Sequence, residues 1–297
     1  MEPHRVTAGP LDIAYLESGP PDGPAAILLH GFPDDALAYE EVAPALAGAG
    51  MRVLVPYLRG YGATRFRDAA TPRSGQQAAL AADVTAFMDA LGIGRAVLGG
   101  YDWGGRAACI VAALWPERVR GLVSAGYMIQ DIGQAGQPAM PTQELRYWYQ
   151  WYFQTGRGRA GLTAHRAEIA RLLWRMWSPD WAFGDATFAR TAASFDNPDF
   201  VDVAIQSYRH RYGNAPGDPD FEPIERRLAA APPIPVPSVL LHGETDGVTP
   251  APDPASEAAH FTGPMRRQTL PRVGHFLPRE APQAMAAAMA EAAGMHG

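Results

Sequence analysis

Four short apolar runs without polar alternation, spaced by helix-length segments, restrict this chain more than any other feature of its sequence. They cover residues 25–31 (AAILLHG), 51–58 (MRVLVPYL), 96–101 (AVLGGY) and 119–128 (VRGLVSAGYM). Unbroken apolar runs of this length predict strands covered on both faces. Residues 74–91 and 103–115 read as helices between them, the second ended by Pro116. The rhythm predicts a mostly parallel sheet with helices on both sides, an α/β fold. Residues 6–7 and 12–17 read as an antiparallel start to that sheet.

The rhythm stops near residue 130. Residues 131–231 are rich in Trp, Tyr and Arg, hold five of the seven tryptophans, and supply no convincing strand. Residues 232–237 (PPIPVP) then predict a stiff linker, since successive prolines forbid helix. Strand patterns resume at 238–243 (SVLLHG) and 267–270, and a closing helix is expected over 281–293. The expected organisation is an α/β core of residues 1–130 and 232–297, interrupted by a helical cap of residues 131–231.

Composition narrows the function classes. The 297 residues are 47% hydrophobic and 19% charged, as in a globular protein, and a chain this long can bury about 75% of its unfolded surface. A net charge of −6 disfavours nucleic acid or an anionic membrane as partner. All 25 basic residues are arginine, which excludes a catalytic lysine and a pyridoxal-phosphate Schiff base. The single cysteine, Cys109, excludes an internal disulfide and any multi-cysteine metal site. No signal-peptide pattern opens the chain and no apolar run approaches a membrane span, so a cytoplasmic protein is expected. The histidines other than His30 and His275 (His4, His165, His210, His242, His260, His296) are scattered without metal-ligand spacing, and no metal or cofactor is expected.

Residues 99–105 (GGYDWGG) join a predicted strand directly to a predicted helix. Small residues two before and two after Asp102 permit a sharp turn that pushes its side chain out over the sheet edge. This is the geometry of a nucleophile elbow, with Asp where hydrolases usually carry Ser. The blander reading makes Asp102 a helix N-cap. Two further groups favour the elbow: Asp246 after the resumed strand, and His275 after the last one. The order nucleophile, acid, histidine is that of an α/β-hydrolase triad, and all three would meet beyond the carboxyl ends of the strands. Upstream, the loop after the strand of 25–31 can aim the Phe32 N–H at an oxyanion beside the N–H of Trp103. His30 is read as holding that loop.

These motifs resemble the aspartate-nucleophile branch of the α/β-hydrolase superfamily, and most the epoxide hydrolases. His30-Gly31-Phe32-Pro33, Arg59-Gly60-Tyr61-Gly62, Gly100-Tyr101-Asp102-Trp103-Gly104-Gly105 and Gly274-His275 follow the family pattern in order. Haloalkane and haloacetate dehalogenases share these core motifs. The cap segment Tyr149-Gln150-Trp151-Tyr152-Phe153-Gln154 is similar to the Tyr-Gln-x-Tyr-Phe-Gln stretch of epoxide hydrolase caps, and Ser207-Tyr208-Arg209 resembles the later tyrosine site. The resemblance implies that Tyr149 and Tyr208 bind and protonate the epoxide oxygen, with Phe32 and Trp103 also lining the substrate. Tyr152 is the competitor for the role of Tyr149. Tyr101 and Tyr57 stand where relatives usually have His and Asp. Haloacetate dehalogenases place Arg directly after the nucleophile, where this chain has Trp103; Arg106 matches their second arginine, or is a helix-surface residue. Asp131 is an alternative acid to Asp246, and Cys109 is read as an inert buried thiol.

The chemistry fits these residue types. Serine attacking a saturated carbon would form an ether that the enzyme could not hydrolyse, whereas Asp102 forms an ester. His275, held by Asp246, would activate the water that releases it. An epoxide's alkoxide needs an acid, which two phenols supply; a halide needs only N–H donors. The expected function is a cofactor-independent epoxide hydrolase for an apolar small-molecule epoxide. The alternatives are a haloalkane or haloacid dehalogenase using Asp102, and a non-catalytic binding protein of the same fold. A homodimer is compatible with the sequence.

Overall fold

The structure, a computed structural model, describes residues 3–132 and 137–294. Among the described residues one nine-stranded sheet forms the centre. Its strands are His4–Ala8 (β1), Leu11–Ser18 (β2), Ala25–Leu29 (β3), Arg52–Pro56 (β4), Arg65–Phe66 (β5), Ala96–Gly100 (β6), Val119–Ser124 (β7), Ser238–Gly243 (β8) and Met265–Leu270 (β9). The order is β1-β2-β4-β3-β6-β7-β8-β9, with β5 paired to β2. Pairings that involve β2 are antiparallel; from β4 to β9 every pairing is parallel. The α/β expectation therefore holds, including its antiparallel start.

Helices cover both faces. Val42–Gly48 (α1) packs on β4, while Gln77–Ala90 (α2) and Asp102–Leu114 (α3) pack together on the other side. Ala26 through Leu29 and Val97 through Leu98 are fully buried, so these strands read as unbroken apolar runs because neither face meets water.

Between β7 and β8 the described residues form helices, turns and loops, with one isolated β-bridge at Ile234. The helices are Pro141–Arg146 (α4), Trp148–Tyr152 (α5), Gly156–Trp177 (α6, kinked at His165), Asp185–Ala192 (α7), Phe200–Arg211 (α8) and Glu222–Leu228 (α9). Pro254–Ala258 (α10), Leu277–Glu280 (α11) and Pro282–Gly294 (α12) complete the chain, and α12 packs beside α1 and under β6, β7 and β8. The helical insertion is fastened to the sheet side by polar bonds across the seam. Trp174 Nε1 donates to Pro33 O at 2.8 Å, and Arg73 pairs with Asp199 at 2.9 Å.

Three sequence expectations are corrected. The strand expected over 119–128 ends at Ser124, because Gly126 (φ +98°) turns the chain out of the sheet. Residues 232–237 are no free-standing linker: Ile234 is buried, bridges to Phe261, and its N–H donates to His260 O at 2.8 Å. The helix expected from 74 starts at Gln77, since Ser74 and Gln76 make a local turn in which Ser74 Oγ donates to Gln76 Oε1.

Candidate active site

Asp102 sits where β6 becomes α3 with almost no connecting loop. Its φ is +48°, a strained value for a residue with a Cβ, and its predecessor Tyr101 is the helix N-cap without a side-chain bond. Asp102 is thus not the cap. The turn needs glycine at its neighbours: a Cβ on Gly104 would lie 2.0 Å from Leu29 O, and one on Gly31 would lie 2.5 Å from Asp102 Cβ. The sequence signal, small residues around a central acid, therefore records a steric requirement.

Asp102 Oδ1 accepts the Phe32 N–H at 2.7 Å. The Trp103 N–H belongs to the first turn of α3 and has no carbonyl partner within the helix. Asp102 Oδ2 lies 3.9 Å from His275 Nε2. On its far side His275 meets Asp246, Nδ1 to Oδ2 at 2.8 Å. An ionised carboxylate only accepts, so the proton sits on Nδ1 and Nε2 faces Asp102 with its lone pair. Asp246 Oδ1 is held by the Val248 and Thr249 N–H groups, each at 2.8 Å. Burial alone would push the His275 imidazole down; the Asp246, Asp102 and Glu280 carboxylates outweigh it and hold its pKa above the ordinary value.

The insertion reaches this trio directly. At the C-terminus of α6, Trp177 O accepts both the His275 N–H (3.2 Å) and the Gly247 N–H (2.9 Å). Ser178 Oγ also accepts the His275 N–H at 2.9 Å and donates to Glu280 Oε1, while Glu280 accepts the Gly274 and Phe276 N–H groups. Trp177, Ser178 and Glu280 were invisible as site residues in the sequence. The only trace is Ser178-Pro179, which marks a helix stop.

The space before Asp102 is enclosed by rings. Phe32 contacts Trp103 (5.6 Å between centroids), Tyr149 (6.2 Å), Tyr208 (5.3 Å) and Trp177 (6.5 Å). Tyr149 and Tyr208 meet edge to face at 5.2 Å. Burial raises both phenols; Tyr208 is raised further by Asp102 and Tyr149 by Tyr208, with Arg211 opposing in each case. The Tyr208 hydroxyl, His275 Nε2 and the indole N–H groups of Trp103 and Trp177 are buried without hydrogen-bond partners among the described residues. Native proteins rarely leave such groups bare except where a ligand is received. The structure thus brings Asp102, Asp246, His275, Tyr149, Tyr208, Phe32 and Trp103 together.

The competitors fall elsewhere. The Tyr152 hydroxyl lies against Gly161 of α6. Asp131 is exposed and lines a cavity of about 310 Å³ that also touches Gln150 and Arg211, while Asp246 holds His275. Arg106 is no helix-surface arginine. It is 5% exposed, because α3 is covered on all sides, and burial followed by the nearby Arg211 lowers its pKa to about 10. His30 is buried, lowered to about 4, and accepts the Leu58 N–H at Nε2, which leaves it a neutral loop brace. Burial likewise pushes the Cys109 thiol up to about 11. Tyr101 donates to Asp34 Oδ2 at 2.7 Å, and its ring stands against His275. His296 lies outside the described residues. Among the described residues no group of His, Cys, Asp and Glu could hold a metal, and no helix is long and apolar enough to cross a membrane.

A sequence profile for the alpha/beta hydrolase fold matches residues 24–282. The chain belongs to the α/β-hydrolase family. Within that family it is most like the epoxide hydrolases. It is 50% identical to a candidate epoxide hydrolase from Klebsiella pneumoniae subsp. pneumoniae MGH 78578, over 98% of this chain and 97% of that one, with a TM-score of 0.96. Epoxide hydrolase A of Mycobacterium tuberculosis (strain ATCC 25618 / H37Rv) is 28% identical over 94% of this α/β hydrolase and 93% of its own length. Epoxide hydrolase B of the same strain is 36% identical over 49% of this chain, and that match spans 45% of the relative's length.

Proposed function

We propose that this α/β hydrolase opens epoxides to vicinal diols through an ester on Asp102. The core of residues 1–130 and 232–297 would supply the nucleophile, acid and base, and the cap of residues 131–231 the proton donors. One observation carries the reading: two buried tyrosines, Tyr149 and Tyr208, meet edge to face and both pack against Phe32, whose N–H is donated to Asp102.

In the first half-reaction an Asp102 carboxylate oxygen attacks an epoxide carbon, the ring C–O bond breaks, and the alkoxide takes a proton from Tyr149 or Tyr208. In the second, His275 Nε2 removes a proton from water, whose oxygen attacks the Asp102 carboxyl carbon. The Phe32 and Trp103 N–H groups stabilise the resulting oxyanion. Cleavage of the ester returns the Asp102 carboxylate with one oxygen from water. His275 passes its proton to the leaving diol oxygen, and the remaining proton restores the tyrosine through solvent. Buried phenols are poor acids at rest, so protonation is coupled to opening of the strained ring. The aromatic walls favour an apolar epoxide.

A second reading has its own observation. The free indole N–H groups of Trp103 and Trp177 could hold a departing halide, which would make the same Asp102 ester a dehalogenase intermediate. Single turnover in heavy-oxygen water, with mass spectrometry of the Asp102 peptide, tests the ester that both share; absence of label there sinks the mechanism. Diol formation from epoxides without halide release from matched haloalkanes separates the first reading from the second. Tyr149→Phe and Tyr208→Phe should each slow epoxide opening by roughly 10²-fold.

A further inference from the structure

Gln150 follows Tyr149 on α5, is buried, and has its amide oriented by a group that can only donate. Arg211 Nη1 donates to Gln150 Oε1 at 3.0 Å, and the Tyr212 hydroxyl donates to the same oxygen at 2.8 Å. A guanidinium has no acceptor, so the oxygen of the amide must face it and the usual ambiguity of amide orientation disappears. The amide nitrogen then points the other way, and Gln150 Nε2 donates to Tyr149 Oη at 2.9 Å. Tyr149 is an acceptor toward Gln150. With Gln150 as donor to it, the Tyr149 hydroxyl keeps its own proton for a group other than Gln150.

The same arginine touches the second phenol. The Arg211 guanidinium stands over the Tyr208 ring, 4.9 Å from its centroid. Gln154 Nε2 ties the two helices together, donating to Gln150 O at 2.9 Å and Tyr208 O at 3.0 Å. Arg211 pulls the pKa of both phenols down, against burial and, at Tyr208, against the Asp102 carboxylate.

We propose that Gln150 and Arg211 are positioning residues for the proton-transfer step: Arg211 fixes the amide of Gln150, and that amide fixes which way Tyr149 offers its proton and braces the oxygen as negative charge grows on it. The inference rests on the reading of Tyr149 as proton donor. It assigns the first glutamine of the Tyr149–Gln154 segment a task in ring opening and none in ester hydrolysis. A hydrogen bond to a group that becomes charged strengthens as the charge forms, so this bond acts on the transition state more than on bound substrate.

The test resolves the two half-reactions by rapid-mixing single turnover, with styrene oxide heading a panel of terminal epoxides. Gln150→Leu should slow formation of the Asp102 ester by about 10- to 100-fold, while ester hydrolysis and epoxide binding stay within about twofold. Arg211→Met should slow the same step, and Arg211→Lys should recover most of the rate. If Gln150→Leu does not fold, Gln150→Glu carries the test, because it keeps the shape and turns the donor into an acceptor for the Tyr149 proton. An unchanged ester-forming rate in these variants, with Tyr149→Phe slow, overturns the positioning role and leaves the donor reading intact. Equal slowing of both half-reactions also overturns it, as a merely structural role would do. If Tyr149→Phe forms the ester at the wild-type rate, or no epoxide is opened by the wild-type protein, the donor reading fails first and takes the relay with it.

Discussion

In the proposed mechanism His275 works buried beside Asp102 and yet has to be basic enough to take a proton from water. Burial works against the second demand, and three carboxylates (Asp246, Asp102 and Glu280) restore it. The raised pKa means that ester hydrolysis, which needs the neutral base, should gain rate with pH through a limb above the ordinary histidine value of about 6.5. Glu280→Gln removes one carboxylate and should move that limb down, as read from the pH dependence of single-turnover ester decay; a limb that stays put removes Glu280 from the electrostatics of the base. A histidine raised on folding stabilises the fold fully below its unfolded pKa, and that contribution is lost as pH rises through the folded value. At this scale the sequence was legible where sterics leave a signature. Asp102 announces itself through the glycines around its turn, and Asp246 and His275 through their places after strands. Glu280 and Ser178 carry no such mark, because a side chain that hydrogen-bonds loop amides needs no special neighbour in the chain.

The α6 helix explains how a cap can matter to a triad built on the sheet. Its last carbonyl and the following serine bind the Gly247 and His275 amides, so the loops that carry Asp246 and His275, the proposed acid and base, are held by the insertion as well as by β8 and β9. Ser178→Ala should leave the Phe276 N–H without its serine partner and the His275 N–H with Trp177 O alone. The expected cost is about 1–3 kcal/mol of stability, with a larger fall in kcat than rise in KM. Denaturant titration and steady-state kinetics check it; intact kcat would show that the clasp is idle. Gly104→Ala makes a sharper prediction. Its Cβ would lie 2.0 Å from Leu29 O, backbone that cannot give without parting β3 from the elbow, so little folded protein should be recovered. Element boundaries were less legible than element types. The β7 run stayed apolar past Ser124 because residues leaving the sheet there still pack against the hydrophobic core, and apolarity alone does not separate strand from buried loop. The prolines of 232–237 misled for a similar reason: proline forbids helix, but it does not forbid packing.

Across the whole molecule, core and insertion meet over a buried charge cluster. Arg279 pairs with Asp34 at 2.6 Å, approaches Asp35 at 3.6 Å, donates to Thr191 of the insertion at 2.7 Å and lies 5.0 Å from the Trp174 ring centroid. Two adjacent carboxylates share that one full partner, and Asp35 loses the competition. Burial, followed by repulsion from Asp34, raises its pKa against the pull of Arg279. An acid raised on folding keeps its proton in the native state while the unfolded chain releases one above about pH 3.9, so stability should fall as pH climbs from the ordinary carboxyl range toward the folded value. Asp35→Asn keeps the oxygen that accepts the Leu37 N–H and the Thr191 hydroxyl while abolishing the titration. Urea titrations across that range should show a flatter pH profile for the variant and greater stability at its upper end; an unchanged slope would mean that Asp35 is ionised in the fold. Arg279→Met is the opposite case. It strands Asp34 without its guanidinium and should cost about 3–5 kcal/mol, because a buried pair broken on one side leaves an uncompensated charge. No sequence pattern disclosed this cluster, since Arg279 meets Asp34 from 245 residues along the chain and Thr191, across the seam with the insertion, from 88. The fold was readable from local rhythm, and the contacts that join its two parts were not.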